Sequence, residues 1–312
     1  MRRRRIVSAL IAGIAALAVT GAAACTTDSA AAAGKVDVVA AFYPLQFVTE
    51  QVGGGHVAVT NLAKPGAEPH DLELSARQVG RVSDADVIVY LEGFQPAMDD
   101  AVEQVGGDRA FDVATAVPLL KAGESDHVHE GEAPGGHDEA TTDPHVWLDP
   151  TRLATIGRQV ADRLAAADPA NKADYQANAA RLTAELTGLD QEYAAGLANC
   201  QRRELVTGHA AFGYLADRYH LEQVGLTGVT PDTEPAPQRL AAVAQEARAH
   251  GATTIFFETL VSPKVADTIA REVGARTAVL DPIEGLQPGA TGDYFSIMRT
   301  NLTAIRTALD CS

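Results

Sequence analysis

The chain has 312 residues, 46% of them apolar, and a formal charge of −16. This length and apolar content support one large or two ordinary domains with real cores. The acidic balance excludes a nucleic-acid binder, which needs a basic face; such a surface keeps a chain soluble and at most mildly concentrates cations.

The first 25 residues read as a processing signal. A basic "MRRRR" precedes the apolar run "IVSALIAGIAALAVT", and "GAAAC" ends in Cys25. Small residues before a cysteine resemble a bacterial lipobox, in which cleavage leaves a lipid-bearing cysteine first; Ala22 stands where leucine is usual. Ordinary secretion with an incidental Cys25 is the alternative. Residues 26–35 read as a flexible tether. Beyond the leader no apolar run is long enough to span a bilayer. Two cysteines remain, Cys200 and Cys311. Export favours a disulfide between them, with two free thiols as the alternative.

From residue 36 short apolar runs alternate with helical spacing: strand "KVDVVAAF", helix "PLQFVTEQVG", strand "HVAVTNL", then helix "SARQVGRVSDA" with Ser75 as its N-cap, and strand "DVIVYL". This is a βαβ pattern and predicts a parallel sheet over 36–150. Within it, residues 121–143 lack apolar periodicity and carry His127, His129 and His137 among acidic residues, a loop of the kind that binds metal weakly or is simply solvated. Residues 151–199 are helical throughout. The break at Asp168-Pro169 predicts a helix near 151–166 and a spine near 169–198, with Asp168 as N-cap of the latter. Over 200–312 the alternation restarts: strands "ELVTG", "LEQVGL", "TTIFFE" and "TAVLD", with helices between them and a last helix near 293–309. The expected fold class is α/β, two Rossmann-like lobes joined by one long rigid helix.

Open α/β sheets bind ligands beyond the carboxyl ends of their strands. His70 follows "HVAVTNL", His145 abuts the strand-like "VWLD", His209 follows "ELVTG", and Asp281 follows "TAVL". Two come from each lobe, as the walls of a cleft would. Three imidazoles and a carboxylate suit a tetrahedral borderline divalent ion, zinc above all. His56 reads as a surface turn residue, and His220 and His250 as helix ends.

These stretches resemble a known family. "PGAEPHDLELSARQVGRVSDADVIVY", "DPHVWLDP", "TGHAAFGYLADRYHLEQVGLTG", "EPAPQRL" and "FFETLVSPKVADTIAREVGARTAVLDPIEG" are similar, in order, to the zinc-binding subunits of bacterial ABC importers. The resemblance implies a metal held between the lobes by His70, His145, His209 and Asp281. Imidazole at 209, where manganese-binding relatives carry Glu, tips the choice to zinc. It also implies an auxiliary weak site at His127, His129 and His137.

The function expected is therefore capture of Zn(II) outside the cytoplasm and delivery to an ABC-type permease, with zinc as cargo and no catalysis. The partners expected are the zinc ion, the permease and a periplasmic-type metallochaperone. The membrane is met through the lipid anchor alone, and the chain is expected as a monomer; without lipidation it would be periplasmic or secreted. A zinc hydrolase is the reading from another class. It would need an open coordination position and a base, for which only Glu258 stands out. A manganese-binding or adhesin-type relative would share the fold.

Overall fold

The computed structural model describes residues 34–122, 142–231 and 235–312. The leader with Cys25 and the loop histidines His127, His129 and His137 lie outside the described residues.

The first sheet is parallel and runs in the order β2 (Val57–Asn61), β1 (Val36–Ala40), β3 (Val87–Tyr90), β4 (Ala110–Asp112). Helices α1 (Tyr43–Gly53), α2 (Ala76–Asp84) and α3 (Pro96–Ala101) connect its strands. The second sheet repeats this plan in the order β6 (Glu222–Gly225), β5 (Glu204–Thr207), β7 (Thr254–Phe257), β8 (Arg276–Val279), again parallel. Its helices are α6 (Gly213–Tyr219), α7 (Pro237–Ala249), α8 (Lys264–Val273) and α9 (Tyr294–Leu309). In both sheets the strand that comes first in the chain sits inside, with the order reversing beside it. That is the topological switch point at which α/β sheets open a crevice.

Between the sheets lie α4 (Pro150–Ala167) and α5 (Lys172–Gly196), packed along each other. The 25 residues of α5 extend about 37 Å at 1.5 Å per residue. Tyr175, Ala179, Leu182, Leu186, Leu189 and Tyr193 recur at three- and four-residue intervals and form its buried stripe. The helix starts later than its sequence suggests. Asp168 does not cap α5, because its Oδ2 accepts from Asn171 Nδ2 (2.6 Å) and the Tyr175 hydroxyl (2.8 Å). Pro169–Asn171 form a separate 3-10 turn.

One apolar core runs from the first sheet through α4 and α5 to α6 and α9, and a smaller one lies under β5, β6 and β7 against α7 and α8. The lobes are thus seated on a shared core. Trp147 is central to it: its Nε1 donates to Pro282 O (2.7 Å), its carbonyl accepts from the Tyr294 hydroxyl (2.6 Å), and its ring packs against Phe42 and Phe94. A disulfide joins Cys200 to Cys311 across 111 residues, closing the second lobe on its own end.

Candidate functional site

Three histidines from separate segments converge where the carboxyl ends of the two sheets face each other. His70 sits in the loop after β2. His145 precedes the 3-10 turn Val146–Leu148, and His209 ends the turn after β5. The "VWLD" run is therefore not a strand. Asp149 caps α4 by accepting from Thr151 N (2.8 Å), and Pro150 starts that helix, leaving room for one tight turn only.

The fourth member of the cluster is Glu284. Its Oε1 lies 3.1 Å from His145 Nε2, 3.1 Å from His209 Nε2 and 3.5 Å from His70 Nε2, and the two nitrogens of His145 and His209 are 3.3 Å apart. All four donor atoms lie within 4.8 Å of one another. Four ligands at 2.0–2.1 Å from a tetrahedral centre are separated by about 3.3 Å, so the spacing matches one small divalent ion. The group is closed to solvent: His145 and His209 are 0% exposed, Glu284 1% and His70 8%.

Asp281, the carboxylate expected from the sequence, does not join the cluster. Its Oδ2 accepts from the Thr259 hydroxyl (3.0 Å) and its Oδ1 from Ile283 N (2.8 Å). The second bond folds the chain into a turn at whose end Ile283 takes a left-handed backbone, φ 61°. A β-branched residue there is a genuine outlier. The turn aims Glu284, not Asp281, into the cleft. The missed signal was the second acid of "DPIEG", three residues on.

Glu284 also rides on a segment that reaches the first lobe. Gly66 N donates to Leu286 O (2.8 Å), and Gly66 is at φ +85°, where a side chain would be strained as well as pressed against Pro288.

The surrounding charges set the protonation of the metal-free site. Burial pushes His145 and His209 down, but the adjoining carboxylates outweigh it. Asp143 and Glu284 hold His145 above the usual imidazole range, and Glu258 and Glu284 hold His209 well above it. Burial would raise Glu284, yet the charge of His209 and the imidazole donors hold it well below the usual carboxylate range. Burial and the nearby charge of Glu284 push Glu68, two residues before His70, up to about 9. Behind the cluster, Asp143 Oδ1 accepts from His145 Nδ1 (2.7 Å) and Glu258 Oε1 from His209 Nδ1 (2.6 Å). Such contacts fix the tautomer that presents Nε2 to a metal.

The other histidines stand apart. His56 binds Asp174 of α5 (2.9 Å) and packs edge-on to Tyr175; His220 and His250 close α6 and α7. A second group of donors, Glu204, Glu222 and His250, lies at the amino ends of β5 and β6, partly open to solvent. Among the described residues no helix is long and apolar enough to cross a membrane.

Comparison with known proteins is consistent across sequence and structure. Residues 38–308 match the family described as zinc-uptake complex component A, periplasmic (ZnuA). The chain is 38% identical over 294 residues to the zinc-binding protein AdcA of Streptococcus pyogenes, covering 89% of this chain but 57% of that protein. It is 34% identical over 284 residues to the high-affinity zinc uptake system protein ZnuA of Bacillus subtilis, covering 88% of each. Among solved structures it is similar to the Zn(II)-bound ZnuA-like domain of Streptococcus pneumoniae AdcA, with TM-score 0.74 and 34% identity over 89% of this chain and all of that one. It is also similar to the laminin-binding protein Lmb of Streptococcus agalactiae, described as bifunctional in adhesion and metal transport, with TM-score 0.77 and 28% identity over 88% of this chain and 99% of that one. With two parallel-sheet lobes on a helical spine and a match across nearly the whole described fold, this chain belongs to the ZnuA family.

Proposed function

We propose that this protein is an extracytoplasmic receptor that captures Zn(II) and delivers it to an ABC-type permease. The observation that carries the reading is the buried convergence of His70, His145, His209 and Glu284 at tetrahedral spacing. Three neutral imidazoles and one carboxylate suit a borderline ion such as zinc better than a hard one. Four protein donors leave no open position for a substrate, which suits holding an ion rather than catalysis. Glu258, the one base a hydrolase could have used, is engaged with His209. Zinc enters by displacing protons from His145 and His209, and Glu284 then offsets part of its charge.

The relatives named as zinc-binding proteins and lipoproteins support a lipid anchor at Cys25 and a permease partner. The loop histidines His127, His129 and His137 are read as a weaker collecting arm. Deleting residues 124–142 is expected to leave the tight zinc site intact and remove weaker binding.

The deciding experiment is a competitive zinc titration of the mature chain. We expect one tight zinc per molecule, lost in His209→Ala and in Glu284→Ala. Tight zinc retained in either variant would overturn the site. Zinc should also raise the melting temperature, because it binds the closed fold and not the unfolded chain.

A further inference from the structure

Glu258 follows β7 directly, beside the turn after β5 that carries His209. It is 3% exposed, and its side chain has one hydrogen-bond partner among the described residues, Nδ1 of His209 at 2.6 Å. The other oxygen, Oε2, is buried and has no hydrogen-bond partner among the described residues. A buried carboxylate with an unsatisfied oxygen is costly for folding, so stability does not account for it. Gly208 points the same way. Its backbone is outside the left-handed region, so conformational freedom does not require glycine there. A Cβ at 208 would, however, stand 2.8 Å from Glu258 Oε1. The glycine provides space for the carboxylate.

We propose that Glu258 is the positioning residue that commits position 209 to imidazole, holding Nδ1–H so that Nε2 faces the metal, and that Gly208 is small to admit it. The proposal rests on the reading of His209 as a zinc donor. Asp143 holds His145 similarly but also accepts from His145 N (2.9 Å), so it doubles as a turn former; among the described residues Glu258 has no such second duty. The arrangement also determines selectivity. A carboxylate at 209 would face Glu258 across the same buried gap, with Glu284 on its other side, and like charges in that setting are strongly disfavoured. Harder, oxygen-preferring ions are thereby denied a carboxylate at this position.

The test is a competitive zinc titration of wild type, Glu258→Ala, Glu258→Gln, Gly208→Ala, the Glu258→Ala/Gly208→Ala pair and His209→Ala, each checked for cooperative unfolding without metal. Loss of such an outer partner typically weakens metal binding roughly 10–100-fold. We expect that loss in Glu258→Ala, a partial recovery in Glu258→Gln, which keeps an acceptor oxygen, and a loss in Gly208→Ala that adds nothing in the Glu258→Ala background. Wild-type affinity in Glu258→Ala, or additive losses in the pair, would overturn the proposal. Retention of tight zinc by His209→Ala would instead overturn the zinc site itself. A metal-free arm is independent of affinity: His209→Glu should lower the melting temperature, and Glu258→Gln on top should restore it. A drop that Glu258→Gln does not relieve would also count against the proposal.

Discussion

At the level of single residues, two acids three positions apart have opposite duties. Asp281 shapes a turn with Ile283 N and Thr259, while Glu284 enters the histidine cluster. Asp281→Asn should therefore retain tight zinc but lower the melting temperature, whereas Glu284→Ala should lose zinc; calorimetry and titration on the same samples separate the two. The protonation of the cluster gives a pH dependence with a definite sign. His145 and His209 are raised above 6.5 in the folded, metal-free protein. Their contribution to its stability is present in full below about pH 6.5 and is lost as pH rises through the folded values. Zinc requires the deprotonated rings, so its affinity should climb across that same window while protons are released. Glu284, held well below its usual range, contributes stability above about pH 4.5 that is lost as pH falls through its folded value. Melting curves of chelator-treated protein against pH, with zinc titrations in buffers of different ionisation heat, would check both signs; an affinity independent of pH across this range would refute the assignment.

At the level of elements, local chemistry sets where helices begin. Ser75 and Gln78 form a reciprocal capping box at the start of α2, and Gln78 Nε2 also reaches Leu62 O (3.1 Å), tying that helix to the segment after β2 that leads to His70. Ser75→Ala removes the side-chain acceptor of the Gln78 backbone N–H at the first turn and should cost about 1 kcal/mol. Chemical denaturation would measure it, and the zinc site should be unaffected because the His70 loop keeps its other contacts. The spine follows a different rule: α5 has no side-chain cap and draws its stability from its buried stripe against α4. This is why the helical pattern of 151–199 and its break at Asp168-Pro169 were legible while the start of α5 at Lys172 was not. Asp168 looked like a cap, and only the nearby Tyr175 hydroxyl and Asn171 amide reveal where its carboxylate goes.

At the level of the molecule, the shared core seats the second lobe on the spine, and the disulfide ties that lobe to the last residues of the chain. Cys200 and Cys311 bring the chain end back to the exit of α5, where Ser312 N donates to Asn199 O (3.0 Å). A cross-link closing a loop of this size stabilises by up to about 4.7 kcal/mol in the chain-entropy view, with 2–4 more typical. Replacing both cysteines by alanine should lower the melting temperature by several degrees and leave zinc affinity unchanged, since the bridge lies away from the four donors. Reduced affinity in that variant would show that the clasp sets the cleft geometry as well.

The sequence by itself determined the two βαβ lobes, the helical stretch between them and three of the four clustered donors. Those properties are local: alternating apolar periodicity marks strands and helices, and a histidine just past a strand or beside a helix start is visible without knowing what it faces. Tertiary structure alone decided the fourth donor, the partner behind His209 and the burial of the whole group. Asp281 and Glu284 are both acids in one short segment, and choosing between them depends on a left-handed turn at Ile283 and on the first lobe's Gly66 holding Leu286. Glu258 and His209 are 49 residues apart in the chain, and only the pairing of β5 with β7 puts the carboxylate behind the ring.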